Sequence, residues 1–196
     1  MKVRDSGMPD EEMWSGFFDP VSVLNIFGLN QGVQDLVEFG CGYGTFTLAA
    51  AGIASGTVYA LDIEPEMVRV VKQKCREAGV CNVQASVHDF VAEGTGLEAN
   101  SMDAALLFNI LHHEEPVALM EEALRVLKPN GRLVVIHWNY DPTTPRGPAM
   151  EIRPRPEQCI AWGRESGFCF NEQNRYNLPP YHYGLLFMKP IPMMRP

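Results

Sequence analysis

The stretch VEFGCGYG at residues 37–44 decides how this chain is interpreted. It begins as an apolar strand pattern and continues with Gly40, Gly42 and Gly44 at every second position. A helical pattern then starts at about Thr45. A strand, a glycine loop and a helix in this order bring exposed backbone N–H groups and the positive end of a helix to one place. We therefore predict that this loop lets a ligand contact the backbone.

Outward from the loop, apolar runs of strand length alternate with amphipathic helical patterns. The predicted strands cover residues 34–39, 57–62, 82–87, 103–108 and 131–139, and the clearest helices cover 64–78 and 115–128. Alternating strands and helices indicate an α/β fold with a parallel sheet. Ligands of such sheets bind outside the carboxyl ends of the strands. We therefore expect the functional residues directly after each strand.

The last third of the chain does not continue this alternation of strands and helices. A loop rich in Pro and Arg at 141–156 is followed by a predicted helix at 157–166 and by two strands at 168–176 and 183–188. The connector between these two strands is too short for a crossover helix, so they should be antiparallel. The pattern predicts a mostly parallel sheet whose last strand is reversed.

The length of 196 residues fits one domain. We expect a single domain over 1–196, with an N-terminal cap segment at 1–30, a core at 34–188 and a loose tail at 189–196.

Three aromatic residues, Trp14, Phe17 and Phe18, precede a short helix that is predicted between Asp19 as its N-cap and Gly28 as its stop. These rings fit two roles equally well. They either pack in the core or form a flap over the ligand.

The composition excludes several classes of partner. The chain is 46% hydrophobic and 20% charged, as expected of a globular protein. Its net charge is −8, and its 16 basic residues are scattered, which disfavours nucleic acid. The first residues lead us to expect no signal peptide, and the sequence contains no apolar run of about 18 residues that could span a membrane. We expect a cytoplasmic protein with a small partner.

The five cysteines indicate neither disulfides nor a metal site. They show no CxxC pair and no regular spacing, so we expect reduced thiols. Cys41, inside the glycine loop, is predicted to be a small side chain in a tight turn, because no neighbouring residue supplies a base. The string HHEE that starts at His112 lacks the HExxH spacing of zinc sites.

Glu38 decides between two kinds of ligand. A dinucleotide site has the fingerprint GxGxxG, but Thr45 stands where its last glycine belongs. A carboxylate two positions before Gly40 would repel a pyrophosphate and attract an ammonium group. Cationic S-adenosylmethionine therefore fits this loop better than NAD or FAD.

Acidic residues after the next two strands support this interpretation. Asp62, 22 residues after Gly40, can accept hydrogen bonds from both hydroxyls of a ribose, although NAD enzymes use the same device. Asp89 can accept from an adenine amine, or it is simply a turn or cap residue. Ile63 and Phe90 are placed to sandwich the base.

Five segments together carry a family resemblance. They are VEFGCGYGTFTLAAA, VYALDIEPEMV, VQASVHDF, SMDAALLFNILHH and LRVLKPNGRLVVIHW. In this order and spacing, over about residues 34–139, they resemble the motifs of class I S-adenosylmethionine-dependent methyltransferases. The greatest similarity is to the small, type 11-like branch related to the ubiquinone and menaquinone biosynthesis methyltransferases. The resemblance implies a Rossmann-like three-layer sandwich whose seven-stranded, mostly parallel sheet has an antiparallel last strand.

The resemblance also implies which residues bind the cofactor. They are Glu38, Gly40, Gly42, Gly44, Asp62, Ile63 and Asp89, with a further contact near Asn109. Cys41, from its place in the loop, and Phe90, from its place after the third strand, complete the predicted cofactor site.

The predicted reaction is an in-line transfer of the methyl group to a small-molecule acceptor, with release of S-adenosylhomocysteine. The first candidate base is His112 and the second is His113, since both follow the fourth strand. The alternative is that either histidine only caps or orients the next helix. Two alternatives stay open. One is a methyltransferase-like module that binds the cofactor or a partner without turnover, and the other, disfavoured by Glu38 and Thr45, is a nicotinamide-dependent oxidoreductase.

Overall fold

Seven strands form one sheet in the computed structural model of the chain, which describes residue 7 and residues 9–192. The strands are β1 (Leu36–Phe39), β2 (Val58–Asp62), β3 (Val83–Val87), β4 (Met102–Phe108), β5 (Leu127–Trp138), β6 (Cys169–Leu178) and β7 (His182–Met188).

The strand order is β3-β2-β1-β4-β5-β7-β6. The five strands from β3 to β5 in this order are mutually parallel, whereas β7 runs antiparallel to both β5 and β6. This arrangement confirms the predicted fold class, a mostly parallel seven-stranded sheet with a reversed last strand.

Helices cover both faces of the sheet. One face packs against α2, α3 and α4, and the other packs against α5 and α6. The helices are α1 (Glu11–Ser15), α2 (Pro20–Ile26), α3 (Thr45–Ile53), α4 (Pro65–Glu77), α5 (Pro116–Val126) and α6 (Pro156–Glu165). Within the described part of the chain, no helix is both long and apolar enough to cross a membrane.

The order of the strands creates a crevice beside β1. This strand lies between β2 and β4, and it is followed by α3 on one face, whereas β4 is followed by α5 on the other face. The loops that leave the carboxyl ends of β1 and β4 therefore diverge. Such a switch point is where open α/β sheets bind ligands.

Pro129, Asn130 and Gly131 are residue types typical of a turn, but they lie inside strand β5. Leu127 of β5 pairs with Met102 of β4, and the next pair is Arg132 with Ala104. Between these two pairs, β5 therefore contains three more residues than β4. The extra residues form a bulge, in which Asn130 adopts a φ of 64°. Burial of Leu127 in the core outweighs the local turn signal, so helix α5 ends two residues earlier than the predicted 128.

Two features at the chain ends differ from the sequence prediction or extend it. Helix α1 was not predicted; the side chain of Asp10 caps it by accepting a hydrogen bond from the N–H of Met13 (2.9 Å). Lys189, assigned to a loose tail, is held by its backbone and donates from Nζ to the carbonyls of Leu124 and Leu127 (both 2.7 Å). Residues 1–6, 8 and 193–196 of the predicted end segments lie outside the described residues.

Two helical glycines test how tightly the helices pack. A Cβ on Gly163 in α6 would lie 2.4 Å from Cε1 of the fully buried Phe187, whereas a Cβ on Gly52 in α3 would meet nothing within 4 Å. We expect Gly163→Ala to lower the free energy of unfolding by about 1–3 kcal/mol through overpacking. Gly52→Ala should raise it by about 0.5–1 kcal/mol. Urea denaturation of both variants gives the two signs, and equal effects would contradict the packing described for α6.

Candidate functional site

The glycine loop is fixed to the neighbouring strand. The N–H groups of Gly40 and Cys41 both donate to the carbonyl of Leu61 at the end of β2, at 2.8 and 2.9 Å. Gly40, Gly42 and Gly44 adopt φ values of 76°, 50° and 78°. These are left-handed conformations that other residues rarely adopt. The backbone conformation of the loop therefore favours glycine at these three positions, in addition to any need to leave space for a ligand.

Space is also limited at two of these glycines. A Cβ on Gly44 would lie 3.0 Å from Cγ2 of Val71 in α4, and one on Gly40 would lie 3.3 Å from Cδ1 of Ile110. Gly44 is the N-cap of α3 and has no side chain to cap the helix. The amino end of α3 thus keeps N–H groups for a ligand beside the loop.

Asp62 links the loop to the end of β2. Its Oδ2 accepts a hydrogen bond from the N–H of Gly42 (2.8 Å), and its Oδ1 accepts one from the N–H of Glu64 (3.0 Å). Burial raises the pKa of Asp62, and the two backbone N–H groups partly oppose this rise. Each carboxylate oxygen has a second lone pair, so Asp62 can still accept hydrogen bonds from two ribose hydroxyls.

Glu38 is the most desolvated charge of the site. Its side chain is 2% exposed, points to the face of the sheet that α3 covers and accepts a hydrogen bond from the hydroxyl of Thr47. Burial, with a smaller contribution from the nearby Asp62, raises its pKa to about 8 despite the lowering effect of the Thr47 hydrogen bond. The ionised form of Glu38 lacks a cationic partner among the described residues, so a ligand cation would stabilise it.

Cys41 has the environment of an inert thiol. Its side chain is buried beside Val68 and Val71 of α4. Burial, and then the charges of Glu38 and Asp62, raise the pKa of this thiol far above its ordinary value. A thiol that stays protonated is a poor nucleophile. This agrees with the prediction that Cys41 serves as a small side chain in a tight turn.

The residues expected around the adenine occupy two different environments. Ile63 is half-buried at the end of β2, and Asp89 is half-buried after β3. Oδ1 of Asp89 accepts a hydrogen bond from the N–H of Ala92 (3.1 Å), so the residue caps a turn. Phe90 is buried in the core against Phe39, with ring centroids 5.3 Å apart. The position of Phe90 favours core packing over contact with a base.

Asn109 carries two buried polar atoms that lack a partner among the described residues. It follows β4 with a φ of 52°, and its N–H donates to the carbonyl of Ile136 (2.7 Å). Its side-chain Oδ1 and Nδ2 are both buried without a hydrogen bond from the described residues. A buried amide in a strained backbone conformation is a signature of a ligand site.

The two neighbouring histidines after β4 have different roles in the structure. Nδ1 of His113 accepts a hydrogen bond from the N–H of Glu115 (3.0 Å), which caps the start of α5. His112 is buried, lines a cleft and has its Nδ1 3.4 Å from Nε2 of His137. His113 thus makes the contact at the start of α5 that the sequence left open, while both histidines line the cleft.

The cleft beside His112 has a volume of about 450 Å³. The loop after β4 forms one wall, and Tyr140 with the segment from Met150 to Gln158 forms the other. The guanidinium of Arg155 lies 3.7 Å from the centre of the Tyr140 ring. Arg153 is buried and donates to several backbone carbonyls, which holds the segment in place.

Sequence reasoning missed the buried histidines His137 and His182. Both are fully buried, and the apolar runs in which they lie gave no sign that they would face functional residues. Around His182 lie the rings of Trp14, Phe18 and Trp138, at 5.8, 4.5 and 4.2 Å. In the region that the structure describes, no group of three or more His, Cys, Asp or Glu side chains could hold a metal ion.

The aromatic residues of the N-terminal segment pack as core residues, and α1 is linked to the glycine loop. Their rings pack against Trp138 at the carboxyl end of β5 and against His182 at the amino end of β7, as core residues would. In addition, Lys74 of α4 contacts Glu11 of α1 and donates to the carbonyl of Tyr43 (2.7 Å). This lysine joins α1 to the glycine loop, so α1 lies beside the predicted cofactor site.

Known proteins share both the sequence pattern and the fold. A family model described as a methyltransferase domain matches residues 37–135. A ubiquinone biosynthesis O-methyltransferase of Xanthomonas oryzae is 34% identical over 111 residues, which cover 55% of this chain and 44% of that protein. A ribosomal protein L11 methyltransferase of Streptococcus thermophilus is 28% identical over 120 residues, 59% of this chain and 36% of that protein. The chain thus spans less than half the length of these curated relatives.

A solved structure matches over nearly the whole chain. It is a SAM-dependent methyltransferase from Aquifex aeolicus, with a TM-score of 0.80 and 26% identity. The match covers 92% of this chain and 94% of that one. The similarity therefore extends beyond the segment that the family model matches.

The buried carboxyl of Glu38 predicts a particular pH dependence of stability. Between its ordinary pKa of 4.5 and its folded value of about 8, the folded chain keeps a proton that the unfolded chain has lost. The free energy of unfolding should therefore fall as the pH rises through this window. Glu38→Gln cannot ionise and should gain at least about 1 kcal/mol relative to the unmodified chain on going from about pH 5 to about pH 8.

Urea denaturation at the two pH values measures this gain. Glu66→Gln is the matched control, because Glu66 is an exposed carboxylate in α4 and its pKa is lowered by Arg69. A pH-independent difference between Glu38→Gln and the unmodified chain would contradict the described burial of Glu38.

Proposed function

Since the chain belongs to the type 11 methyltransferase-domain family, we propose that it transfers a methyl group from S-adenosylmethionine to a small-molecule acceptor. The observation that carries the proposal is the pair of buried carboxylates, Glu38 and Asp62, on either side of a glycine loop. Two desolvated acidic groups at one site suit a ligand that offers an ammonium group and hydroxyl donors, and they oppose a pyrophosphate.

The residues of the site fit this cofactor. Asp62 has lone pairs for ribose hydroxyls, Glu38 complements an ammonium group, and the glycine loop lets a ligand approach its backbone. The amide of Asn109 has buried polar atoms that a ligand can satisfy. When bound, S-adenosylmethionine supplies a methyl group that is activated for transfer by its positively charged sulfur. The chain's task is then to align an acceptor and to exclude water.

The acceptor is assigned to the cleft next to His112. Its volume of about 450 Å³ is in the range of small-molecule sites. Apolar and aromatic groups such as Tyr140, Ile152 and Trp162 can hold the body of an acceptor, while Arg155 offers a polar contact. The ubiquinone biosynthesis relative supports a small acceptor, whereas the ribosomal protein L11 relative makes a protein acceptor the alternative.

His112 is assigned the role of general base. An acceptor that is neutral at the assay pH must lose a proton as the new bond to the methyl carbon forms. His112 lines the cleft, so its Nε2 can take this proton and release it to solvent in a later step. His113 is not assigned this role, because its Nδ1 already accepts the N–H of Glu115.

The test is transfer of labelled methyl from S-adenosylmethionine to a fractionated metabolite extract, with mass analysis of the product. The unmodified chain should label an acceptor, and His112→Ala should lower turnover by about a hundredfold or more with little change in cofactor affinity. His113→Ala, the control, should change turnover by only a small factor.

Two outcomes would contradict the proposal. Wild-type turnover by His112→Ala on an acceptor that is neutral at the assay pH would remove the base role. Labelling of ribosomal proteins in a cell extract, with no labelled small molecule, would replace the small acceptor by a protein.

A further inference from the structure

The side chain of His112 has a buried partner that sequence reasoning did not find. His137 is the penultimate residue of β5, and its Nε2 lies 3.4 Å from Nδ1 of His112. The two rings are inclined by 74° with centroids 5.6 Å apart, an edge arrangement in which one nitrogen faces the other. One of the two imidazoles must donate and the other must accept, since only one proton fits between two neutral rings.

The surroundings of His137 indicate which nitrogen carries the proton. No hydrogen bond of ordinary geometry reaches its buried Nδ1 from the described residues. The backbone of Trp138 nevertheless opposes the lowering of the His137 pKa that burial causes, as a carbonyl does when it faces an imidazole N–H. Because Nε2 faces His112, Nδ1 is the nitrogen left for this carbonyl. With its proton on Nδ1, His137 presents a lone pair at Nε2.

His137 is also surrounded by groups that disfavour a charge on it. Burial, then His112, His182 and Arg153, lower the pKa of His137 well below its ordinary value. The ring of Tyr183 stacks on it at 6.3 Å, and the Tyr183 hydroxyl is fixed by donation to the carbonyl of Pro154 (3.1 Å). His137 is therefore neutral and held in a rigid position.

We infer that His137 is a positioning residue, which accepts a hydrogen bond from Nδ1 of His112 and so keeps the Nε2 lone pair of His112 directed at the cleft. The inference rests on the proposed function, in which His112 takes a proton from the acceptor. A histidine free of such a partner prefers the proton on Nε2, which is the wrong tautomer for a base that acts through this nitrogen. A neutral partner corrects the tautomer without burying a carboxylate beside the cleft.

The test reads the tautomers directly by long-range proton–nitrogen correlation spectra of the full chain labelled with ¹⁵N-histidine. The chain has only five histidines, so single substitutions assign the signals. We expect His112 to carry its proton on Nδ1 and to have an unprotonated Nε2, and His137 to be protonated on Nδ1. A proton on Nε2 of His112 in the unmodified chain would overturn the inference.

Three variants separate positioning from packing. His137→Phe keeps the ring volume and removes the acceptor, so the proton of His112 should move largely to Nε2. His137→Gln offers an amide oxygen near the position of Nε2 and should preserve the Nδ1 proton on His112. His182→Phe, the matched control, changes another fully buried histidine and should leave the tautomer of His112 unchanged. An unchanged His112 tautomer in His137→Phe would overturn the inference.

A turnover measurement separates failure of this inference from failure of the proposed function. His137→Phe should lower turnover by about tenfold or more in the unmodified chain and have no further effect in His112→Ala, because the two residues act as one unit. Equal losses in both backgrounds would make His137 a structural residue only. If the tautomers are as expected but His112→Ala keeps full turnover, the positioning contact stands and the base role of the proposed function fails.

Discussion

The position of the whole site depends on three backbone N–H groups of the glycine loop that follows β1. Those of Gly40 and Cys41 donate to the carbonyl of Leu61, and that of Gly42 donates to the carboxylate of Asp62. These bonds set the path of the glycine loop, orient Asp62 and aim the amino end of α3 at the crevice. Because β1 lies between β2 and β4, they also fix the loop beside the residues that follow β4.

Several features of the site lower the free energy of unfolding. Glu38 holds a carboxyl group in a buried position where ionisation is unfavourable, and Asp62 is shifted in the same direction by burial. Asn109 adopts a left-handed backbone conformation and leaves its amide without a partner from the described chain. Each of these features costs free energy in the folded chain, and each can be compensated by a bound ligand.

The strands, the glycine loop and the acidic residue after β2 were predictable, because they depend on local patterns: apolar runs of strand length, glycine spacing and position after a strand. The contact between His112 and His137 was not predictable. The two residues are 25 positions apart and meet only because the loop after β4 lies beside the end of β5, at a register that the bulge after Leu127 shifts. Likewise, the partner of Phe90 in the core, Phe39, lies on a strand that is distant in sequence.

The central claim is that the glycine loop with Glu38 and Asp62 recognises S-adenosylmethionine and not a dinucleotide. Calorimetric titration of the full chain with S-adenosylhomocysteine, and in parallel with NADH, tests this claim most directly, because the product keeps the ammonium group and the ribose but has no pyrophosphate. The account predicts saturable binding of S-adenosylhomocysteine and none of NADH at the same concentrations. Binding of NADH with equal or greater affinity would contradict it.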